Sequence, residues 1–189
     1  MSKGDIHYES HQFSSARKTN YLRMKKVVII GPECTGKSTL TQALAQNFDC
    51  PYRKEYAREY IAQLSTPYTP KDILHIAKKQ IEIEDAIPKN SPYLFLDTDL
   101  IVCKVWSEFK YNICHPWILE QIQERYYDYY LLCDIDLPWQ NDGMREHPNH
   151  RQGLLAIYEN ELKDLNKSYT LVSGNNRTQM AIDLVKRYA

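Results

Sequence analysis

The chain has no surplus of charge of either sign: 24 lysines and arginines are matched by 24 aspartates and glutamates over 189 residues. A protein that grips duplex DNA or RNA through its phosphates normally needs a basic excess, so no nucleic-acid partner is expected. Apolar runs near the roughly 20 residues of a membrane span are missing. So is the N-terminal apolar stretch of a secretory signal, and no membrane partner is expected. The five cysteines, Cys34, Cys50, Cys103, Cys114 and Cys133, contain no C-x-x-C pair. An odd, scattered set reads as free thiols in a reducing cytoplasm rather than as a disulfide frame or a zinc site. Repeats and low-complexity segments are absent too. One α/β domain is expected.

Residues 1–24 are polar and keep no period of 2 or 3.6, which reads as a mobile arm ahead of a domain over 25–189. Val27–Ile30 is a β-branched run of the kind a strand buried on both faces requires. A helix is expected over 37–47, with Leu40, Ala43 and Leu44 on one face. "TPKD" at 69–72 is a helix start, with Thr69 as cap, Pro70 in the first turn and Asp72 three residues past the cap. That helix carries Ile73, Ala77 and Ile81 and should end before Pro88. Further strands are expected at 93–97, 129–135 and 169–174, with a weaker candidate at 51–55. Helices over about 99–110, 116–125, 152–166 and from Arg177 fill the gaps. This β–α alternation predicts a mostly parallel sheet with helices on both faces.

The chemistry starts at "GPECTGKST", Gly31 to Thr39. Gly31-x4-Gly36-Lys37-Ser38 fits the phosphate-loop pattern in full, between a buried strand and a helix as its mechanism demands. The two glycines let the backbone curl so that successive N–H groups face phosphate oxygens. Lys37 brings a point charge to the β- and γ-phosphates, Ser38 a hydroxyl to Mg²⁺, and the helix its positive end. Cys34 and Thr35 would add N–H groups. Glu33 is out of character, because an acid there opposes bound phosphate unless it points away.

A P-loop alone permits many activities. A switch GTPase would normally show N-K-x-D, and this chain has none. Asp97 ends the strand "YLFLD", where open α/β sheets present ligand-binding residues. There it can hold the Mg²⁺ shell, partly through water, or touch substrate. A helix cap is the alternative for Asp97, and for Asp99 cap and substrate contact stand level. "KEYAREYI" (54–61) puts Glu55, Tyr56 and Arg58 at the lip of the site. Glu55 can accept the proton of an attacking hydroxyl or grip a ribose diol, or simply pair with Arg58 three residues on. "LPWQNDGMREHPNHRQG" (137–153) reads as a lid that closes over nucleotide with Arg145 and Arg151, or as an ordinary solvated loop. His147 and His150, without a third ligand, are weak evidence for a metal.

"GPECTGKSTL", "EYAREYI", "FLDTDL" and "PWQNDGMR", in this order and spacing, resemble the ribosylnicotinamide kinase domain of NadR-type proteins, an AAA-28-like group of P-loop ATPases and kinases. The resemblance covers residues 25–188. It implies a P-loop NTPase fold like that of adenylate and nucleoside kinases, with a lid. It also implies transfer of the γ-phosphoryl of ATP to the 5′-hydroxyl of nicotinamide riboside, with ATP and Mg²⁺ required. Carried over, Gly31–Thr39 would hold ATP and Mg²⁺, joined by Arg151 and by Arg177. Glu55, Tyr56, Arg58, Asp97 and Asp99 would line the riboside pocket, and Trp139 and Asp142 would sit near the base and ribose. Lys37, Asp97, Glu55 and Arg145 would carry the catalysis. No H-x-G-H adenylyltransferase motif and no helix-turn-helix segment is present, so phosphorylation without dinucleotide synthesis is expected.

Two other readings compete. One is a kinase for another nucleoside or small alcohol. The other is a regulatory module that senses nucleotide. A carboxylate on the acceptor side favours chemistry, since a sensor needs no base there. Oligomeric state is not set by any of these features.

Overall fold

The structure, a computed structural model, describes residues 23–140 and 149–189. The expected arm lies outside these residues except for its last two. Met24 is buried in the core and Arg23 pairs with Asp128, so domain packing already includes them. Asp142, Arg145 and His147 of the expected lid also lie outside the described residues.

Among the described residues five strands, β1 (Lys25–Ile30), β2 (Tyr52–Arg53), β3 (Tyr93–Asp97), β4 (Tyr129–Cys133) and β5 (Tyr169–Val172), form one parallel sheet in the order β2-β3-β1-β4-β5. Seven helices are interleaved with them: α1 (Lys37–Phe48), α2 (Tyr56–Ile61), α3 (Pro70–Ala86), α4 (Leu100–Tyr111), α5 (Pro116–Glu124), α6 (Arg151–Asp164) and α7 (Arg177–Tyr188). The period-2 alternation of buried strands splits the core in two. Val27, Ile29, Phe95 and Leu131 pack against α1 and α7, whereas Val28, Ile30, Leu96 and Leu132 pack with α3, α4, α5 and α6.

Most expected elements are present, with shorter ends. β5 stops at Val172 because Gly174 turns into the left-handed region at φ 78°. With no partner beyond Val172, β4 stops at Cys133 rather than at residue 135, closed by the Asp134 N–H on the Val172 carbonyl at 3.0 Å. The start of α3 is built as its sequence says: the Thr69 N–H donates to Asp72 Oδ2 at 2.7 Å, closing a capping box.

The sheet order fixes where a ligand can lie. The loop after β1 leads to α1 on one face, and the loop after its neighbour β3 leads to α4 on the other. A crevice therefore opens at the carboxyl ends of β1 and β3, the switch point of the sheet. In the parallel register Ile29 stands beside Asp97 and Leu96 beside Arg53. Continuing that register two residues brings Glu55 level with Thr98, one step beyond Asp97.

Candidate active site

The P-loop follows from three residues in the left-handed region: Gly31 at φ 141°, Cys34 at φ 56° and Gly36 at φ 78°. These reversals turn neighbouring N–H groups to the same side, which makes an anion nest. Gly36 is also the N-cap of α1, and no side chain caps that end, so its first N–H groups are left for a ligand. Within the loop the Thr35 hydroxyl and the Lys37 ammonium both donate to the Pro32 carbonyl, at 2.8 and 2.7 Å.

Gly31 is required for space as well as for φ. A Cβ there would lie 2.7 Å from the carbonyl oxygen of Cys133 in β4. That oxygen belongs to the sheet and cannot move alone. Gly31→Ala is therefore expected to cost about 2–4 kcal/mol of stability from overpacking and backbone strain. Urea unfolding measures the loss, and a midpoint unchanged from wild type would show that the loop tolerates a Cβ.

Amides that face inward leave their carbonyls facing outward, and two arginines accept that task. Arg151 donates to the carbonyls of Cys34 and Leu137, both at 3.0 Å. Arg177 donates to the Thr35 carbonyl at 2.7 Å and pairs with Asp136. These are the two arginines that the sequence assigns to nucleotide. Here they brace the loop from outside, while the Cys34 thiol meets the backbone of Gln140 at 3.3 Å.

The wall of the crevice opposite the P-loop is formed by the ends of β2 and β3. Asp97 is buried, and its Oδ1 has no hydrogen-bond partner. An orphaned carboxylate oxygen beside a phosphate loop, with the Ser38 hydroxyl in the first turn of α1, is the donor set a Mg²⁺ ion with phosphate and water ligands would use. Glu55 is half-buried at the N-terminus of α2, with Arg58 Nε 3.4 Å from its Oε2. Burial pushes its carboxyl above the ordinary glutamate range, and the charge of Asp97 pushes it further, against the opposing pull of Lys37 and Arg58. These four groups are near enough to feel one another.

Asp99 does something else. Its Oδ1 accepts the Ile101 N–H at 3.0 Å, capping α4, and its Oδ2 accepts the Tyr130 hydroxyl at 2.9 Å. Both oxygens are engaged in the core, where burial raises the carboxyl to about 6. The substrate contact expected of Asp99 gives way to a structural cap.

Arg53, which the sequence offered only as part of a weak strand, explains the Asp97 geometry. It is 2% exposed. Its guanidinium donates to the carbonyls of Lys54 at 3.2 Å, Asp97 at 3.4 Å and Thr98. Thr98 is held at φ 71°, an uncommon conformation for a β-branched residue. One planar fork thus fixes the turn that aims Asp97, and an ammonium cannot reproduce it. Arg53→Lys is expected to cost about 1–3 kcal/mol through carbonyls left unsatisfied. It should also lower kcat more than it changes the Michaelis constant for ATP. Stability lost with kinetics intact would confine Arg53 to the fold.

A cavity of about 120 Å³, open to solvent at one side, runs from the P-loop into the space under α4 and α6. Gly31, Glu33, Lys37, Glu55 and Arg58 line its polar end. Trp106, Phe109 and Tyr158 line its apolar wall. These aromatics had escaped the sequence reading, since Trp106 and Phe109 have the spacing of an ordinary core stripe. Trp139, expected near the base, is half-buried and does not line the cavity. Nor does Tyr56, whose ring lies 6.0 Å from Tyr60 and 6.4 Å from His75.

The model of the AAA domain family matches residues 26–179. Over 128 residues the chain is 28% identical to the trifunctional NAD biosynthesis/regulator protein NadR of Salmonella typhimurium, covering 65% of this chain and 31% of that one. The NadR protein of Escherichia coli strain K12 gives the same identity and coverage. The chain thus spans less than a third of the length of these curated relatives. Among solved structures, NadR in complex with NR matches with a TM-score of 0.76 at 23% identity, over 87% of this chain and 50% of that one. Thymidylate kinase from Candida albicans matches with a TM-score of 0.65 at 15% identity, over 87% and 92%. Such likenesses establish that the chain shares the fold of these structures.

Proposed function

The chain belongs to the AAA domain family AAA_28, and from that premise we infer that it is an ATP-dependent kinase of nicotinamide riboside, yielding nicotinamide mononucleotide. One observation carries the reading: Lys37 of the P-loop and Glu55 at the end of β2 line the same cavity, whose opposite wall is formed by Trp106, Phe109 and Tyr158. The NadR relatives, whose names state a role in NAD biosynthesis, and the NadR–NR structure support the choice of acceptor.

In this reading the kinase domain extends over 25–189. ATP lies with its phosphates in the nest of residues 31–39, and Lys37 exchanges the Pro32 carbonyl for β- and γ-phosphate oxygens. Ser38 and Asp97 would hold Mg²⁺, partly through water, and the ion would supply charge neutralisation on those oxygens. The riboside enters with its base between the aromatic side chains and its 5′-hydroxyl toward the γ-phosphate. Glu55 accepts a hydrogen bond from a ribose hydroxyl, and Arg58 holds Glu55 in place. Arg145 of the 137–153 segment would serve the lid over the nucleotide, and Trp139 and Asp142 would lie toward the base and ribose. A loose transition state has little proton to transfer early, so positioning contributes more than basicity.

A coupled assay with ATP and a panel of nucleosides tests this reading. Nicotinamide riboside is expected to give the highest kcat/KM, with mononucleotide identified by mass. Slow ATP turnover that no acceptor stimulates would turn the reading toward a nucleotide sensor. The cavity and the raised Glu55 carboxyl favour chemistry over sensing.

A further inference from the structure

Glu33 stands in a loop whose other features all attract anions. A carboxylate among them weakens phosphate binding unless it serves a neighbouring site. That neighbour is the acceptor cavity. Glu33 lines it together with Glu55, Trp106, Phe109 and Tyr158, and one of its carboxylate oxygens, Oε2, is shielded from solvent. Its charge also reaches the far wall. The Tyr158 hydroxyl is pushed well above the ordinary tyrosine range by burial first, then by the charges of Glu55 and, more weakly, Glu33.

Two cations face the same space, and both have other partners in a working complex. Lys37 lies in the P-loop, where phosphate would take it, and Arg58 sits 3.4 Å from Glu55. Beside them, the aromatic wall carries the Glu33 carboxylate at its edge. Aromatic faces attract cations through their quadrupole, and a partly desolvated carboxylate adds a direct charge term. Neutral bases gain only the stacking.

We propose that Glu33 is a specificity residue of the acceptor pocket, the counter-charge by which the enzyme prefers nucleosides with a cationic aromatic base over neutral ones. The inference rests on the reading of this cavity as the riboside site. It assigns to the phosphate loop a second task, that of reading the base on the acceptor side. It also explains an acid at a position where phosphate binding alone would select against one.

The test compares two acceptors with the same ribose and 5′-hydroxyl: nicotinamide riboside, whose pyridinium is positive, and its 1,4-dihydro form, which is neutral. Wild type is expected to favour the cation. Glu33→Gln should lower kcat/KM for the cation about 10-fold or more, as expected for loss of one partly desolvated charge pair. The ratio of cation to neutral kcat/KM should fall about 10-fold, whatever loss the two acceptors share through the phosphate loop, and Glu33→Asp should restore part of that ratio. Equal losses on both acceptors together with a changed Michaelis constant for ATP would return Glu33 to the phosphate loop and overturn the inference. A wild type that uses both acceptors equally would also overturn it, while leaving the kinase reading intact. Failure of wild type with either acceptor would remove the riboside reading and this inference with it.

Discussion

Lys37→Ala is expected to slow phosphoryl transfer by roughly three orders of magnitude or more while leaving the domain folded. The ammonium is the one cation within the anion nest itself, and charge develops on the transferring group in a site from which water is excluded. The structural cost is small by comparison. Lys37 makes one hydrogen bond in the loop, 2.7 Å to the Pro32 carbonyl, worth about 1 kcal/mol net. In a chain of this size that lowers the melting temperature by only about 2–4 °C. Thr35 still donates to the same carbonyl at 2.8 Å and keeps the loop closed. Steady-state assays beside a thermal melt separate the two effects. Near-normal turnover in a folded Lys37→Ala protein would remove the P-loop from the mechanism.

What the sequence made legible follows the range of the interactions involved. The P-loop is local: strand, glycines, lysine and helix start are contiguous, and each residue type answers a need of the backbone or of phosphate. The Thr69–Asp72 capping box is local in the same way. Asp97 and Glu55 were legible one level up, because parallel sheets present their ligand-binding residues at strand ends. The aromatic wall was not. Trp106 and Phe109 lie on α4 and Tyr158 on α6, about fifty residues apart, and only the packing of both helices on one sheet face joins them. Arg53 was hidden for a similar reason, since a buried arginine makes sense only once β2 is known to flank β3. The "DTD" segment favours Asp97 as a metal or substrate residue and leaves Asp99 level between helix cap and substrate contact. The left-handed turn at Thr98 leaves Asp97 at the sheet end and carries Asp99 into the core to cap α4.

The remaining large effects concern the two acceptor carboxylates, which should fail differently. Asp97→Asn is expected to lower kcat roughly 10²- to 10³-fold, because the orphaned buried oxygen beside the P-loop loses the charge that a metal-bound water or phosphate shell needs. Glu55→Gln should act mainly on the riboside, raising its Michaelis constant about 10-fold with a smaller change in kcat. Titration separates them further. Burial, reinforced by Asp97, raises the Glu55 carboxyl above its ordinary value of 4.5, so wild-type kcat/KM should fall on the acid side above the usual glutamate range. Glu55→Gln should abolish that limb. The sign reverses for stability. A carboxyl raised on folding contributes stability below the unfolded value of about 4.5, and that contribution is lost as pH rises through the folded one. At pH 7–8 the ionised Glu55 is therefore a burden to the fold, and Glu55→Gln should raise the melting temperature there but not at pH 4. If Glu55→Gln instead abolishes turnover at saturating riboside while Asp97→Asn stays active, the two roles are exchanged. If neither substitution alters nicotinamide riboside kinetics, the acceptor is a different molecule.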